Sequence, residues 1–196
     1  MRDQKRTQAA VFPALPASRA TEFLYQALVI VGASLFVSLC ARVTLPLPFT
    51  PVPLTLQNFG VLAVGMVLGS RRGAAALALY LAEGALGLPV FNPAGAGGVA
   101  QILGPTGGYL LAYPAVAYIA GLARERASFV RLLAAGVAAE IVLFAGGVAW
   151  LVLLTGSPRL AAQFGVVPFI FAEIIKIMLA AGAADRWHRF RPGRSA

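Results

Sequence analysis

The chain has 196 residues, of which 59% are hydrophobic and only 12% are charged. A soluble globular domain carries about a quarter charged residues because water must solvate its surface, so this composition excludes an ordinary soluble domain. The formal net charge of +9 does not indicate a nucleic-acid partner, because the cations lie at the ends of apolar segments and not along one stripe.

Six apolar segments are predicted to cross the bilayer as helices, since each crossing needs about 20 apolar residues. They span residues 23–43, 54–68, 74–88, 108–123, 132–154 and 168–184. The second and third are short, which predicts that they are less tilted, broken or shielded by protein. We therefore predict an all-α polytopic membrane protein with a tail at 1–20, a six-helix membrane domain at 21–185 and a basic tail at 186–196.

The cations are distributed very unevenly between the connections. Thirteen Lys and Arg residues lie in the two tails and in the 2–3 and 4–5 connections, whereas one lies in the other three connections. Cationic connections stay on the cytoplasmic side of a membrane. The sequence thus predicts a multi-pass protein of the cell (inner) membrane with both tails cytoplasmic.

The opposite connections are long, apolar and rich in Pro and Gly. The first has proline at 46, 48, 51 and 53, and the second has six glycines between residues 95 and 108. Irregular backbone persists near a membrane where protein or a cavity surrounds it. We expect these connections to form a lid over a pocket; the alternative is that Gly and Pro only make tight turns.

Six charged residues lie in or beside the apolar segments: Glu22, Arg42, Glu83, Glu140, Glu173 and Lys176. Glu173 and Lys176 are three residues apart, so a helix places them on one face. An ionised side chain at mid-bilayer costs about 2.5–3.5 kcal/mol on insertion scales, so the pair either fixes packing or has a function. A carboxylate beside an ammonium presents an acceptor and a donor to a cyclic urea, lactam or amide.

Glu83 and Glu140 either hold helices together or lie in wet crevices.

Several kinds of chemistry are absent from the sequence. Neither lysine follows G-x-x-x-x-G, so the P-loop of an ATPase is missing. A single histidine, His188, excludes HExxH, and a single cysteine, Cys40, excludes an intrachain disulfide and CxxC metal sites. We therefore predict that the chain is not an enzyme and has no cofactor or metal.

Four motifs in order resemble the BioY family, the biotin-specific S components of energy-coupling factor (ECF) transporters. They are Pro-Val-Pro-Leu-Thr-Leu-Gln at 51–57, Gly-Ser-Arg-Arg-Gly at 69–73, Gly-Ala-Leu-Gly-Leu-Pro-Val-Phe at 84–91 and Gly-Pro-Thr-Gly-Gly-Tyr at 104–109. The resemblance implies capture of biotin from the outer face, with uptake driven by a T component and ATPase subunits on other chains. Membrane lipid is the other expected partner, and a homo-oligomer is left open.

The resemblance also implies a ligand site. In the family a carboxylate and a lysine on the last helix, with an asparagine after the third, hold the ureido ring; the matching residues here are Glu173, Lys176 and Asn92. The family often has Asp at the position of Glu173. The residues expected to hold the rest of biotin are Phe91, Tyr109, Thr55, Gln57 and, for its carboxylate, Arg42.

Each of these assignments has an alternative. Arg42 can extend to the headgroups, Gln57 can tie down the proline-rich connection, and Thr106 can cap helix 4. Ser34 and Ser38 have a small-xxx-small spacing that suits packing against a T component. The rival functions are an S component for a different vitamin, a non-transporting membrane scaffold and an intramembrane enzyme.

Overall fold

The structure is a computed structural model that describes residues 19–190. Within that range the α-helices are α1 (Arg19–Arg42), α2 (Gln57–Leu68), α3 (Ser70–Ala85), α4 (Gly98–Leu103), α5 (Gly107–Gly121), α6 (Phe129–Thr155), α7 (Pro158–Gly165) and α8 (Ile170–Phe190). Two short strands, β1 (Thr44–Leu45) and β2 (Leu54–Thr55), pair antiparallel with Thr44 opposite Thr55. The described chain is therefore mostly helical, which confirms the predicted fold class.

The six predicted segments correspond to α1, α2, α3, α5, α6 and α8. The sequence missed α4 and α7, which are short helices inside connections that were expected to be irregular. A start signal for α7 was present, because Ser157 accepts a hydrogen bond from the backbone of Leu160 at 3.4 Å and Pro158 occupies the first helical position. Helix α8 continues to Phe190, so the first five residues of the predicted C-terminal tail are helical. The predicted N-terminal tail to residue 18 and residues 191–196 lie outside the described range.

The helices differ greatly in length. By length and composition, α1 and α6 are long and apolar enough to cross a membrane, and α7 with α8, bent by 50°, forms a third candidate span. Helix α2 has only 12 residues, which extend about 18 Å at 1.5 Å per residue. Nine of those residues are buried, and α2 packs against α1, α3, α5 and α8. Protein therefore shields this short helix from lipid, which is one of the arrangements expected for it.

Helices α2, α5 and α8 all begin at one end of the bundle, which we call the capped end because the connections 43–56, 86–106 and 156–169 lie there. Glycine permits the close contact between α2 and α5, since a β-carbon on Gly65 would overlap the backbone carbonyl of Ala117. Small residues allow helices to approach each other in this way. The polar residues in the first turns of α2, α5 and α8 are thereby brought to the same end of the bundle.

Candidate functional site

A cavity lies at the capped end, between the first turns of α2, α5 and α8 and the middle of α6. It contains about 520 Å³ of empty space, including its mouth. Its helical lining residues are Gln57, Asn58, Tyr109, Leu110, Tyr113, Leu143, Phe144, Glu173 and Lys176. The connections contribute Val52, Pro53, Thr55, Asn92, Thr106 and Phe169. Residues from all three connections thus enclose the cavity, which confirms the predicted lid.

Hydrogen bonds between the connections and their neighbours hold the lid in place. The Thr50 hydroxyl donates to the Phe164 carbonyl at 2.7 Å, which joins the proline-rich connection to α7. The Trp150 indole nitrogen donates to the Gly104 carbonyl at 2.9 Å, which joins α6 to the glycine-rich connection. One bond therefore ties two of the connections to each other, and the second ties the glycine-rich connection to the long helix α6.

Glu173 and Lys176 form a buried ion pair at the wall of the cavity. The Lys176 Nζ atom lies 2.6 Å from Oε1 of Glu173, and the two residues are only 7% and 6% exposed. Both residues line the cavity. An ammonium has three donors and a carboxylate has about four lone-pair sites, so each group keeps hydrogen-bonding capacity after the pair has formed. The expected placement of both groups on one face of the last helix is what the structure shows.

The ion pair extends into a larger polar cluster through Asn58 of α2. The Nδ2 atom of Asn58 donates to Oε2 of Glu173 at 2.6 Å and also to Oε1 of Glu140, on α6. All these side chains are buried. The cluster therefore joins α2, α6 and α8 and places two carboxyl groups beside one ammonium.

Gln57 is the first residue of α2 and Thr55 is the last residue of β2, and both line the cavity. Gln57 donates through Nε2 to the hydroxyl of Tyr80 at 2.8 Å, and Tyr80 donates to the Val90 carbonyl at 3.0 Å. The Thr55 hydroxyl accepts from the backbone of Gln57 at 3.3 Å. Gln57 is thus fixed to α3 through Tyr80, and its amide group does not bond to the proline-rich connection as the alternative proposed.

Tyr109 lies in the wall of the cavity and packs against two glycines outside it. Its hydroxyl donates to the Gly165 carbonyl at 2.7 Å, and a β-carbon on Gly147 would overlap its ring. The glycine of α6 therefore makes room for the aromatic side chain, and the bond to α7 fixes its tip.

Asn92 and Phe91 are adjacent in sequence but have different surroundings. Asn92 lines the cavity, and its Oδ1 atom accepts from the backbone of Ala94 at 3.1 Å. Phe91 is buried but does not line the cavity; its ring lies edge-on to Tyr80, with the centroids 5.4 Å apart. Phe91 thus supports the residues around the site and does not contact the cavity.

Arg42 and Thr106 complete the predicted set and its alternatives. Arg42 is exposed at the end of α1 and donates through Nη2 to the Pro89 carbonyl, and it does not line the cavity. Thr106 occupies the position before α5 but makes no side-chain capping bond, and it lines the cavity. The structure thus brings Lys176, Glu173 and Asn92 together with the other lining residues but leaves Arg42 and Phe91 outside.

Sequence reasoning missed Asn58 and Tyr113, which both line the cavity. Tyr113 lies four residues after Tyr109, so helical spacing places both aromatic side chains on one face of α5. Asn58 directly follows Gln57 and had no separate signal in the sequence. The contact between Glu140 and Asn58 also had no signal in the sequence, because the two residues are 82 positions apart.

The comparisons with known proteins agree with this architecture. The BioY family model matches residues 10–193. The chain belongs to the BioY family. This membership confirms the family that the four sequence motifs indicated.

Curated BioY relatives match most of the chain. The "Probable biotin transporter BioY" of Pyrococcus horikoshii is 41% identical over 164 residues, which cover 83% of this chain and 91% of the relative. The "Biotin transporter BioY" of Thermotoga maritima is also 41% identical over 164 residues, which cover 83% of this chain and 90% of the relative. The similarity to each relative therefore covers more than four fifths of this chain.

A solved structure has the same arrangement of the chain. It is described as the "S-component for biotin from an ECF-type ABC transporter" and matches with a TM-score of 0.78 at 25% identity. The match covers 90% of this chain and 97% of the other. The helical bundle with its capped end is thus an S-component fold.

Proposed function

We propose that this BioY family member captures biotin in the cavity at its capped end, as the substrate-binding S component of an ECF transporter. The observation that carries the proposal is the buried Glu173–Lys176 pair, whose two residues line the cavity. A cyclic urea has a carbonyl acceptor flanked by two N–H donors. Lys176 donates to the carbonyl, and Glu173 accepts from a ring nitrogen, because each group has hydrogen-bonding capacity beyond the ion pair.

The rest of the cavity suits the apolar part of biotin. Tyr109, Tyr113, Leu143, Phe144 and Phe169 provide apolar wall, against which the thiophane ring and valeryl chain are removed from water. Asn92, Gln57 and Thr55 supply further polar groups along the wall. A few polar groups in a mostly apolar pocket are typical of small-molecule sites. Capture and release of the ligand involve no chemical conversion.

Energy for uptake comes, in this proposal, from a T component and ATPase subunits on other chains. The sequence has no P-loop lysine, and the relatives are named as transporters. We place the protein in the cell (inner) membrane with six crossings, the capped end outward and both termini in the cytoplasm. Arg71, Arg72 and Arg124 lie at the end opposite the cap, which favours this orientation through the positive-inside rule.

Isothermal titration calorimetry of the detergent-solubilised protein with biotin tests the capture role. Thiamine and riboflavin serve as controls for an S component of different specificity. We expect saturable binding of biotin at one site and no heat of binding with the other two vitamins. Folded protein that binds thiamine or riboflavin in place of biotin, or that binds none of the three, contradicts the proposal.

A labelling experiment tests the orientation. In a Cys40→Ser background, single cysteines replace Leu88, at the capped end, and Ser70, at the opposite end. A membrane-impermeant maleimide added to intact cells is expected to label the cysteine at 88 and to label the one at 70 only after lysis. The reverse pattern contradicts the proposed orientation.

A further inference from the structure

Asn58 is a buried amide in the wall of the cavity whose oxygen atom has no partner. The residue is 3% exposed and lines the cavity. Its Oδ1 atom makes no hydrogen bond within the described part of the chain. A buried acceptor without a donor is costly, and the residue that carries this one lines a cavity that a ligand can enter.

The orientation of this amide follows from its neighbours. Glu173 is ion-paired with Lys176 through Oε1, so its other oxygen, Oε2, is an acceptor and needs a donor. The atom of Asn58 that lies 2.6 Å from Oε2 must therefore be the amide nitrogen. Because the nitrogen also donates to Glu140, both of its hydrogens are used, and the oxygen is left for a different donor.

Glu140 is the second anchor of this amide. It lies on α6, is 5% exposed and does not line the cavity. Its Oε1 atom accepts from Asn58, whereas its Oε2 atom has no partner among the described residues. Glu140 therefore acts on the cavity through Asn58 and not by contact with a ligand.

We propose that Oδ1 of Asn58 accepts a hydrogen bond from one ring N–H of the bound cyclic urea, and that Glu140 is the positioning residue that holds Asn58 in this orientation. This inference rests on the proposed function, since it names a further contact for the same ligand. A cyclic urea has two ring N–H groups, so Glu173 and Asn58 each accept one while Lys176 donates to the carbonyl. The unused acceptor of the cluster thereby obtains a donor from the ligand.

Two cyclic-carbamate analogues of biotin test the proposal, each with one ring N–H replaced by an oxygen atom. Each analogue keeps the shape of biotin and loses one donor. Wild-type protein is expected to bind the isomer that lacks the Asn58-facing N–H about tenfold to a hundredfold more weakly than biotin, because it leaves a buried acceptor unpaired. Wild-type protein that binds biotin and both carbamates equally well overturns the proposal without any variant. Wild-type protein that fails to bind biotin contradicts the proposed function instead.

The Asn58→Ala variant tests whether Asn58 is the residue that accepts the hydrogen bond from this ring N–H. We expect the variant to bind biotin at least tenfold more weakly and to lose its preference for biotin over one carbamate isomer, while the preference over the other isomer remains. A folded variant that loses the same factor for biotin and both carbamates shows a structural role and overturns the contact. An Asn58→Ala variant that does not fold leaves the wild-type carbamate comparison and the Glu140 variants to decide.

Variants of Glu140 test the positioning role. Glu140→Gln keeps an acceptor toward Asn58 and is expected to retain biotin affinity and isomer preference within about threefold. Glu140→Leu removes the acceptor and is expected to weaken the same isomer preference that Asn58→Ala abolishes. A folded Glu140→Leu variant with unchanged isomer preference overturns the positioning role.

Discussion

Two groups of hydrogen-bonded polar residues within this bundle both contain acidic side chains but have different surroundings. Between α1 and α3, the Ser34 hydroxyl donates to Oε2 of Glu83, and Ser34 is fully buried. Between α2, α6 and α8, Asn58, Glu140 and Glu173 join Lys176 around the cavity. We call the first the Ser34–Glu83 pair and the second the Asn58–Lys176 cluster.

The comparison shows what distinguishes a structural acid from a candidate binding residue. Glu83 does not line the cavity, and its contact joins two helices. In the Asn58–Lys176 cluster, two buried acceptor atoms have no partner among the described residues, and three of the four members line the cavity. An acidic residue in a membrane helix is thus a functional hypothesis by default, but an adjacent cavity and unused hydrogen-bonding atoms are what make it specific. Ser34 is also fully buried and bonded to α3 within the chain, so it does not lie on a surface that can pack against a T component.

Lys176→Ala is expected to have the largest effect on biotin affinity. It removes the donor for the ligand and leaves the carboxylate of Glu173 without its cation. Truncating one member of a buried charge pair costs about 2–5 kcal/mol, so we expect biotin affinity to fall about thirtyfold or more. Calorimetric titration measures the change. Arg42→Ala, which removes an exposed cation outside the cavity, is the matched control and should stay within about threefold of wild type.

Normal biotin binding by folded Lys176→Ala protein would contradict the site. Size-exclusion chromatography and thermal unfolding in detergent establish that the variant is folded.

Glu173→Gln should have the next largest effect. The substitution keeps the shape of the side chain but replaces an ionised acceptor by a neutral amide beside Lys176 and Asn58. Hydrogen bonds to charged groups contribute about 1.5–3 kcal/mol, so we expect biotin affinity to fall about tenfold to a hundredfold. Calorimetric titration again gives the affinity, and an unchanged value would show that the carboxylate serves only the packing of α8.

Gly147→Ala should weaken binding by displacing a wall of the cavity. The added methyl group overlaps the ring of Tyr109, which lines the cavity, and overpacking of this kind costs about 1–3 kcal/mol. We expect biotin affinity to fall several-fold and the unfolding temperature to decrease. Gly182→Ala on α8 is the matched control, because a β-carbon there meets no atom within 4 Å. Equal results for the two variants would show that Tyr109 is not held as described.

Glu83→Gln is expected to have the smallest effect on biotin affinity, because Glu83 belongs to the Ser34–Glu83 pair and not to the Asn58–Lys176 cluster. The amide keeps an oxygen that can accept from Ser34, so we expect biotin affinity within about threefold of wild type and a loss of stability of about 1 kcal/mol. Thermal unfolding and calorimetric titration measure the two quantities separately. A loss of affinity as large as that of Glu173→Gln would place Glu83 in the binding machinery and remove the distinction between the two groups.

Much of the fold follows from the sequence because apolar length and the placement of cations are strong signals. The Glu173–Lys176 pair was predictable for the same reason, since a three-residue spacing on an apolar helix fixes their relative position. The Asn58–Glu140 contact was not predictable, because it joins α2 and α6 across 82 residues of sequence. Arg42 was assigned from its charge alone, and the structure shows that it donates to the Pro89 carbonyl and does not line the cavity. Helices α4 and α7 were missed because Gly and Pro in the connections masked their short helical patterns.

A structure of the protein with bound biotin is the most direct test of the central claim, which is that the Asn58–Lys176 cluster is the binding site for the ureido ring. We expect density for the ring between α2 and α8, with its carbonyl within hydrogen-bonding distance of Lys176 Nζ and its two nitrogens facing Glu173 and Asn58. Density for biotin elsewhere on the bundle, with the cluster unchanged, would contradict the account.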